Sequence, residues 1–143
     1  MPENILLSNA GGDSSTPNTN IKITDFGLAN IMSASNILRS KCGTPVYMAP
    51  EMLQNRPYDS SVDVWASGIL LYIVLSGTLP FFADSPDDFL ELVLSSSFSF
   101  PDDEWAESSE EVKDLIRKIL VPDQNRRLTV KEILAHPWFT ADA

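Results

Sequence analysis

The sequence predicts a mainly α-helical chain that begins with one short β-hairpin. Two apolar runs near the N-terminus, residues 4–7 and 21–24, have the Ile and Leu content and the length of short strands. Downstream of residue 60, apolar residues recur at the three- and four-residue spacing of helices. Between the two parts, residues 25–50 show little periodicity and include two glycines and two prolines.

The segment that joins the two strands is predicted to be a flexible loop. Residues 8–20 are rich in Gly, Ser, Thr, Asn and Pro and offer almost no side chain to bury. Two strands this close in sequence pair most simply as an antiparallel hairpin. The loop between them is therefore expected to be mobile.

The helical part is predicted from apolar runs and from capping residues. The apolar run Val64–Leu75 is too short to span a bilayer and predicts a buried core helix. An amphipathic helix is expected from Pro86 to about Leu94, and four or five helices in all. Two further helix starts are predicted by capping-box spacing, Ser108 with Glu111 and Thr129 with Glu132.

Composition argues against several classes of protein. The 143 residues suffice for one core, and the 43% apolar content is ordinary for a globular protein. A net charge of −10 argues against nucleic acid or an anionic membrane as the main partner. Cys42 is the single cysteine, which fits a reducing compartment, cytoplasmic or nuclear.

The acidic residues are concentrated in one stretch of the chain. A solvated face with acids at helix N-termini is the simpler interpretation, and attraction of a basic peptide is the functional alternative. The residues are Asp84, Asp87, Asp88, Glu91, Asp102, Asp103, Glu104, Glu107, Glu110, Glu111 and Asp114.

A carboxylate directly after the second strand is well placed for a hard cation. Asp25 precedes Phe26 and Gly27, and the glycine frees the backbone beside it. Mg²⁺ is typically held by one or two carboxylates together with substrate phosphates. Asn4 supplies an amide oxygen upstream, and the triplet 49–51, Ala-Pro-Glu, closes the irregular segment downstream.

Six sequence motifs, named below in chain order, resemble the C-terminal lobe of a eukaryotic protein kinase, and the resemblance covers essentially all 143 residues. They resemble the end of the catalytic loop, the magnesium-binding loop, the end of the activation segment, the central hydrophobic helix and the closing helices. The resemblance implies an α+β fold for the complete family, of which this chain supplies the mainly helical part. In chain order the motifs are PENILL, KITDFGLA, CGTPVYMAPE, DVWASGILLYIVLSGTLPF, DQNRRLT and HPWF.

The resemblance also implies an activity. Residues 1–143 would be a partial kinase domain in which residues 25–51 form the activation segment. The Gly43-Thr44-Pro45 triplet is similar to serine/threonine rather than tyrosine kinases, and further segments are similar to the calcium/calmodulin-dependent group, including checkpoint-type kinases. The complete kinase would transfer the γ-phosphate of ATP to Ser or Thr hydroxyls of proteins with Mg²⁺. Calmodulin is an open possibility as its partner.

Metal and nucleotide roles follow residue by residue from the resemblance. Asp25 would chelate the Mg²⁺ that bridges the β- and γ-phosphates, and Asn4 would hold a second Mg²⁺. Phe26 would pack beneath the metal-binding loop, which continues through Gly27. For Asn4, the simpler interpretation is a strand-end residue that caps a turn.

Structural roles follow in the same way. Glu51 is expected to pair with an arginine near the end of the lobe, for which Arg127 is the match. Arg126 competes, because the family's usual Asp-Pro is Asp-Gln at residues 123–124. Asp63 resembles the helix acid that accepts hydrogen bonds from the catalytic loop, or is an ordinary N-terminal helix acid.

Substrate contacts and a phosphorylation site are also implied. Glu3 would select a basic residue near the phosphoacceptor, and Gly43, Thr44 and Pro45 would face the substrate. Ser40 lies where related kinases carry an activating phosphate, with Ser33, Ser35 and Thr44 as nearby alternatives. An unmodified loop serine and a solvated acid are the ordinary interpretations.

Other parts of a kinase are not found among these residues. No G-x-G-x-x-G occurs, no lysine precedes Lys22, and the catalytic Asp would lie before Met1. We expect the chain to be an incomplete part of an active serine/threonine kinase, and we expect this part to be inactive by itself. A truncated, non-catalytic binding or decoy module is the alternative, and an unrelated helical scaffold is a third.

Overall fold

The computed structural model describes residues 2–9, 19–27 and 45–140 and has two compact units, 1–31 and 32–143. The first unit holds a 3-10 turn, Pro2–Asn4, and two strands, β1 (Ile5–Asn9) and β2 (Thr19–Ile23). The strands pair antiparallel, with Ile5 opposite Ile23 and Asn9 opposite Thr19. The predicted hairpin is confirmed.

The strands are longer than the apolar runs that predicted them. Ser8 and Asn9 pair with Asn20 and Thr19, inside the stretch expected to be loop. Backbone hydrogen bonds hold a ladder without any need for apolar side chains, so the pairing continues past the last Ile and Leu. Residues 10–18 lie outside the described residues, and the prediction of a mobile loop stays a prediction for them.

The second unit is helical. It begins with a 3-10 turn and contains seven helices within the described residues, rather than the four or five expected, because three of them are single turns of four residues. The elements are the turn Pro45–Tyr47, α1 (Pro50–Leu53), α2 (Ser61–Ser76), α3 (Pro86–Ser95), α4 (Asp102–Trp105), α5 (Glu110–Ile119), α6 (Val130–Leu134) and α7 (Pro137–Thr140).

The central helix α2 starts and ends at identifiable signals. The Oδ1 of Asp59 accepts the backbone N–H of Ser61 at 2.8 Å, satisfying a donor of the first turn. The helix ends at Gly77, whose φ of 75° lies in the left-handed region that glycine adopts without strain. The predicted core helix is confirmed, with Trp65 and Ile69 fully buried, and at its last turn only one face is covered, so that Val74 is 68% exposed.

Helix α2 packs against α5 to form the core. Ile69 on α2 and Ile116 on α5 are both fully buried. The two helices approach closely at Gly68, where an added Cβ would lie within 2.9 Å of Leu120 Cδ2 and closer still to Ile119 Cγ2. A residue without a side chain is therefore required at this crossing.

Aromatic rings extend the core beyond the helices. The rings of Trp65 and Phe81 stack with centroids 5.8 Å apart and planes at 6°. Tyr72 contacts Trp105 with centroids 4.8 Å apart, and Phe100 meets the same tryptophan edge-on at 4.7 Å. These contacts hold Phe81, which precedes α3, and Trp105 of α4 against the central helix.

The predicted caps had mixed outcomes. At α6, Thr129 and Glu132 make both bonds of a capping box, as predicted. At α5 the cap is Ser109, whose hydroxyl accepts the N–H of Val112 at 3.4 Å, and not Ser108. Within residues 2–9, 19–27 and 45–140, no helix has the length and apolar character needed to cross a membrane.

Candidate functional site

The open end of the hairpin brings two separated parts of the sequence together. Because Ile5 pairs with Ile23, the residues just before and just after them meet at one end of the ladder. The backbone N–H of Thr24 donates to the carbonyl of Asn4 at 2.8 Å, and the Thr24 hydroxyl donates to the same oxygen at 3.2 Å. Asn4 is thereby fixed beside the chain that leads into Asp25.

The side chains of Asn4 and Asp25 face each other. Asn4 Nδ2 donates to Asp25 Oδ2 at 3.4 Å, although the two residues are 21 positions apart. Asp25 has a φ of 63°, a left-handed conformation that is uncommon for residues other than glycine. The backbone N–H of Gly27 donates to Asp25 Oδ1, also at 3.4 Å. Both hydrogen bonds are long, so the carboxylate is held loosely and keeps lone pairs free.

This donor set fits a magnesium ion. Mg²⁺ prefers oxygen ligands and usually takes only one or two carboxylates, keeping waters or phosphate oxygens in its other positions. Asp25 is exposed and offers a carboxylate, and Asn4 beside it offers an amide oxygen. The strained φ of Asp25 is typical of a residue held in place at a functional site.

The neighbours of the pair differ in how they are placed. Glu3 lies in the 3-10 turn Pro2–Asn4 and is exposed. Phe26 is 68% exposed within the described residues, because a two-stranded hairpin has no core to receive the ring. Its packing beneath the metal-binding loop stays a prediction.

The expected activation segment is described only at its two ends, residues 25–27 and 45–51. Outside the described residues lie Ser33, Ser35, Ser40, Gly43 and Thr44. Pro45 is exposed and starts the 3-10 turn, and its carbonyl accepts the N–H of Met48 at 3.0 Å. The roles assigned to these six residues stay predictions.

Glu51 and Arg127 form a buried ion pair in the second unit. Arg127 donates from Nη1 to Glu51 Oε1 at 2.9 Å and from Nη2 to Glu51 Oε2 at 3.1 Å. The two residues are 1% and 5% exposed. Arg126, the alternative partner, is exposed. Of the two arginines that the sequence left open, Arg127 therefore makes the pair.

Arg127 has further contacts that its sequence motif did not reveal. Its Nε donates to the carbonyl of Val121 at 3.1 Å, and its Nη1 donates to the carbonyl of Ser61 at 2.9 Å. Its guanidinium carbon lies 5.1 Å from the ring centroid of Trp65. The arginine thus ties together α1, the start of α2 and the segment before α6, through backbone carbonyls that no side-chain motif encodes.

Asp63 lies in the first turn of α2 and is exposed. Both of its interpretations place an acid at a helix N-terminus, where it is favourable in either case. Its proposed hydrogen bonds to a catalytic loop stay a prediction.

Comparison with known proteins identifies the family of the chain. The sequence model of the family described as "Protein kinase domain" matches residues 1–139. The chain belongs to the protein kinase family.

Individual relatives are kinases by name. The chain is 38% identical over 141 residues to myosin light chain kinase A of Dictyostelium discoideum, covering 99% of this chain and 46% of that protein. It is 41% identical over 142 residues to calcium/calmodulin-dependent protein kinase type 1B of Rattus norvegicus, covering 99% of this chain and 40% of that one. The human protein of that name is 40% identical over 141 residues, with 99% and 39% covered. The chain thus spans less than half the length of these relatives.

Proposed function

We propose that these residues supply the metal-binding pair and the protein-binding lobe of a serine/threonine kinase that transfers the γ-phosphate of ATP to Ser or Thr hydroxyls. The observation that carries the proposal is the meeting of Asn4 and Asp25 at the open end of the hairpin. Membership of the protein kinase family supports a magnesium-binding role for this pair.

The proposed division of labour follows from the donor atoms. Asp25 presents a carboxylate, and Asn4 presents an amide oxygen once the amide rotates away from the carboxylate. Mg²⁺ bound there would neutralise charge on the β- and γ-phosphates. The left-handed backbone of Asp25 orients the carboxylate, and the long hydrogen bond from the Gly27 N–H leaves its lone pairs free for the ion.

The finer proposals concern substrate, regulation and competence. Glu3 would favour a basic residue near the phosphoacceptor, and a phosphate on Ser40 or Thr44 would order the activation segment. We propose that neither nucleic acid nor an anionic membrane is a partner, because a net charge of −10 repels both. Residues 1–143 alone are proposed to be inactive, because they contain neither a Gly-rich loop nor a catalytic-loop Asp.

A chimaera tests the proposal. The part of human calcium/calmodulin-dependent protein kinase type 1B that precedes the position of Pro2 is fused to residues 2–143, and transfer of labelled phosphate to a basic Ser-containing peptide is measured. The chimaera is expected to phosphorylate the peptide in the presence of Mg²⁺. Asp25→Ala should reduce turnover at least about a hundredfold by removing stabilisation of phosphate charge.

Two controls make the test decisive. Asp87→Ala removes an exposed acid in the first turn of α3 and should leave turnover unchanged. The isolated 143-residue chain should show none. The proposed function is wrong if a folded chimaera that binds ATP transfers no phosphate. The proposal that the isolated chain is inactive is wrong if that chain turns over ATP and Asp25→Ala abolishes the turnover.

A second candidate, a non-catalytic binding module, is favoured by one observation. The hairpin exposes apolar side chains, with Leu7 at 69%, Ile21 at 66% and Ile23 at 66%. Because Leu7 is opposite Ile21 and Ile5 is opposite Ile23, these residues share one face of the ladder. A partner protein that loses affinity for the chain on Ile21→Ser, but not on Asp25→Ala, would support this candidate over the first.

A further inference from the structure

A cleft in the second unit lies beside part of the acid-rich stretch, and no role given above uses it. It has a volume of about 440 Å³. It is formed by the C-terminal parts of α2 and α3, the segments that follow each of these helices, and α4. All of these elements belong to one compact unit, residues 32–143.

The wall of the cleft combines apolar and polar side chains, and the core holds it in place. Leu79, Leu92 and Phe82 contribute to it. The Phe82 side chain is 72% exposed, whereas its neighbour Phe81 is 2% exposed and stacks on a core tryptophan. Phe82 is therefore an exposed aromatic ring on a firmly anchored backbone, a feature that favours contact with a partner.

The rim of the cleft carries a fixed negative charge. Glu104 is half-buried, and its Oε2 accepts the hydroxyl of Thr78 at 3.1 Å. Burial raises the pKa of the neighbouring Tyr72, and the charge of Glu104 raises it further. The residues that line the cleft include no Lys, Arg or His among those the structure describes. Asp102 and Asp103 precede Glu104 on the same helix and add to the negative field.

We propose that this cleft is a docking surface for a protein segment that carries a basic side chain next to an apolar one. The apolar side chain would cover Phe82, and the basic group would pair with Glu104. The net charge of −10 attracts such a segment and repels an anionic membrane, a nucleic acid or a second copy of this chain. Docking here needs neither nucleotide nor metal, so it goes beyond the proposed phosphotransfer.

Binding of a designed peptide tests this surface. A fluorescein-labelled peptide with an arginine on each side of one phenylalanine is titrated with the full chain, without nucleotide, and fluorescence anisotropy is measured. Phe82→Ala and Glu104→Gln are each expected to weaken binding about fivefold to tenfold. The dissociation constant should also rise with salt concentration.

The variants have matched controls. Val74→Ala truncates an apolar side chain that is 68% exposed and lies outside the cleft. Glu91→Gln removes one exposed acid from α3 outside the cleft. Both should change affinity less than about twofold if the cleft is the site. Glu104→Gln keeps an amide oxygen that can accept the Thr78 hydroxyl, so the local fold is preserved, and matching melting temperatures verify this.

Three results would overturn the proposal. The first is wild-type affinity in both cleft variants. The second is equal weakening by Glu91→Gln, which would mean that only the net charge attracts the peptide. The third is a concentration-dependent dimer, seen by sedimentation and abolished by Phe82→Ala, which would make a second copy the occupant.

Discussion

Arg127 donates two parallel hydrogen bonds, of 2.9 Å and 3.1 Å, to the carboxylate of Glu51, which lies 76 positions away in the sequence. Neither side chain has more than 2% of its surface exposed. Two buried charges are stable in this setting only because each satisfies the other and the remaining donors of the arginine reach backbone carbonyls. Removing one partner leaves the other charged and unpaired in the interior.

We therefore expect Glu51→Ala to be strongly destabilising. The free energy of unfolding should fall by about 3–5 kcal/mol, the usual effect of breaking one side of a buried ion pair. Urea denaturation followed by circular dichroism measures this change. If Glu51→Ala is too unstable to purify, Arg127→Lys, which keeps the charge but loses the two parallel bonds, gives a milder test.

Arg126→Ala is the matched control for this pair. Arg126 is exposed and neighbours Arg127, so its loss should change the free energy of unfolding by less than about 0.5 kcal/mol. Equal destabilisation by the Arg126 and Arg127 variants would contradict the assignment of the pair.

Gly68 is expected to be intolerant of even one methyl group. Gly68→Ala would normally stabilise a helix, but here its Cβ would overlap Ile119 at the contact between α2 and α5. We expect a net loss of about 1–3 kcal/mol in the free energy of unfolding, since overpacking forces the helices apart. Thermal denaturation measures it.

A compensating variant distinguishes overpacking from other causes. Ile119→Ala creates space where the added Cβ would lie, so the double variant should be more stable than the sum of the two single effects predicts. Ser67→Ala, at an exposed position of the same helix, should be close to neutral. Strict additivity of Gly68→Ala and Ile119→Ala would count against this explanation.

Much of the fold was predictable because its signals are local. The hairpin follows from two Ile- and Leu-rich runs, and the start of α6 follows from Thr129 and Glu132, whose capping box is complete within four residues. The start of α5 was missed by one residue. Ser108 and Ser109 are both suitable N-cap residues. The helix starts after Ser109, which places Val112 on the buried face of α5.

The sequence predicted the parts of the candidate site that lie in recognisable motifs, and it did not predict contacts that depend on the packed fold. The meeting of Asn4 and Asp25 follows once the hairpin register is known. The choice of Arg127 over Arg126 does not, because adjacent arginines have identical local chemistry and only the packed fold decides which one points inward. Phe81 and Phe82 pose the same problem, and their opposite burial is set by contacts distant in sequence.

The pair formed by Asn4 and Asp25 should bind a divalent cation in the full chain. We expect Mn²⁺, used as a paramagnetic substitute for Mg²⁺, to broaden the amide NMR signals of residues 3–5 and 24–27 selectively. Asp25→Asn should abolish this selective broadening, since it removes the carboxylate. Glu3→Gln, which removes an exposed acid from the adjoining turn, should retain it. Equal broadening with Asp25→Asn in place would show that the pair is not the binding site.

Asp114 is expected to make stability depend on pH in acid. The Lys118 ammonium at 2.6 Å lowers the pKa of Asp114, and the His136 ring at 3.1 Å contributes, so the folded pKa lies below the ordinary value of 3.8. The contribution of this carboxylate is therefore complete above pH 3.8 and is lost as pH falls through the lowered folded pKa. Asp114→Asn should lower the melting temperature by about 1–3 °C at pH 7, a small effect because the carboxylate is partly exposed.

The difference in melting temperature between Asp114→Asn and wild type should shrink towards zero as pH is lowered below 3.8, because both proteins then carry a neutral group at this position. Glu91→Gln, at an exposed position on α3, provides the control and should show no such convergence. Calorimetric melting curves between pH 2.5 and 7 measure both differences. A gap that stays constant across this range would mean that Asp114 stabilises the helix by packing alone, independently of its charge.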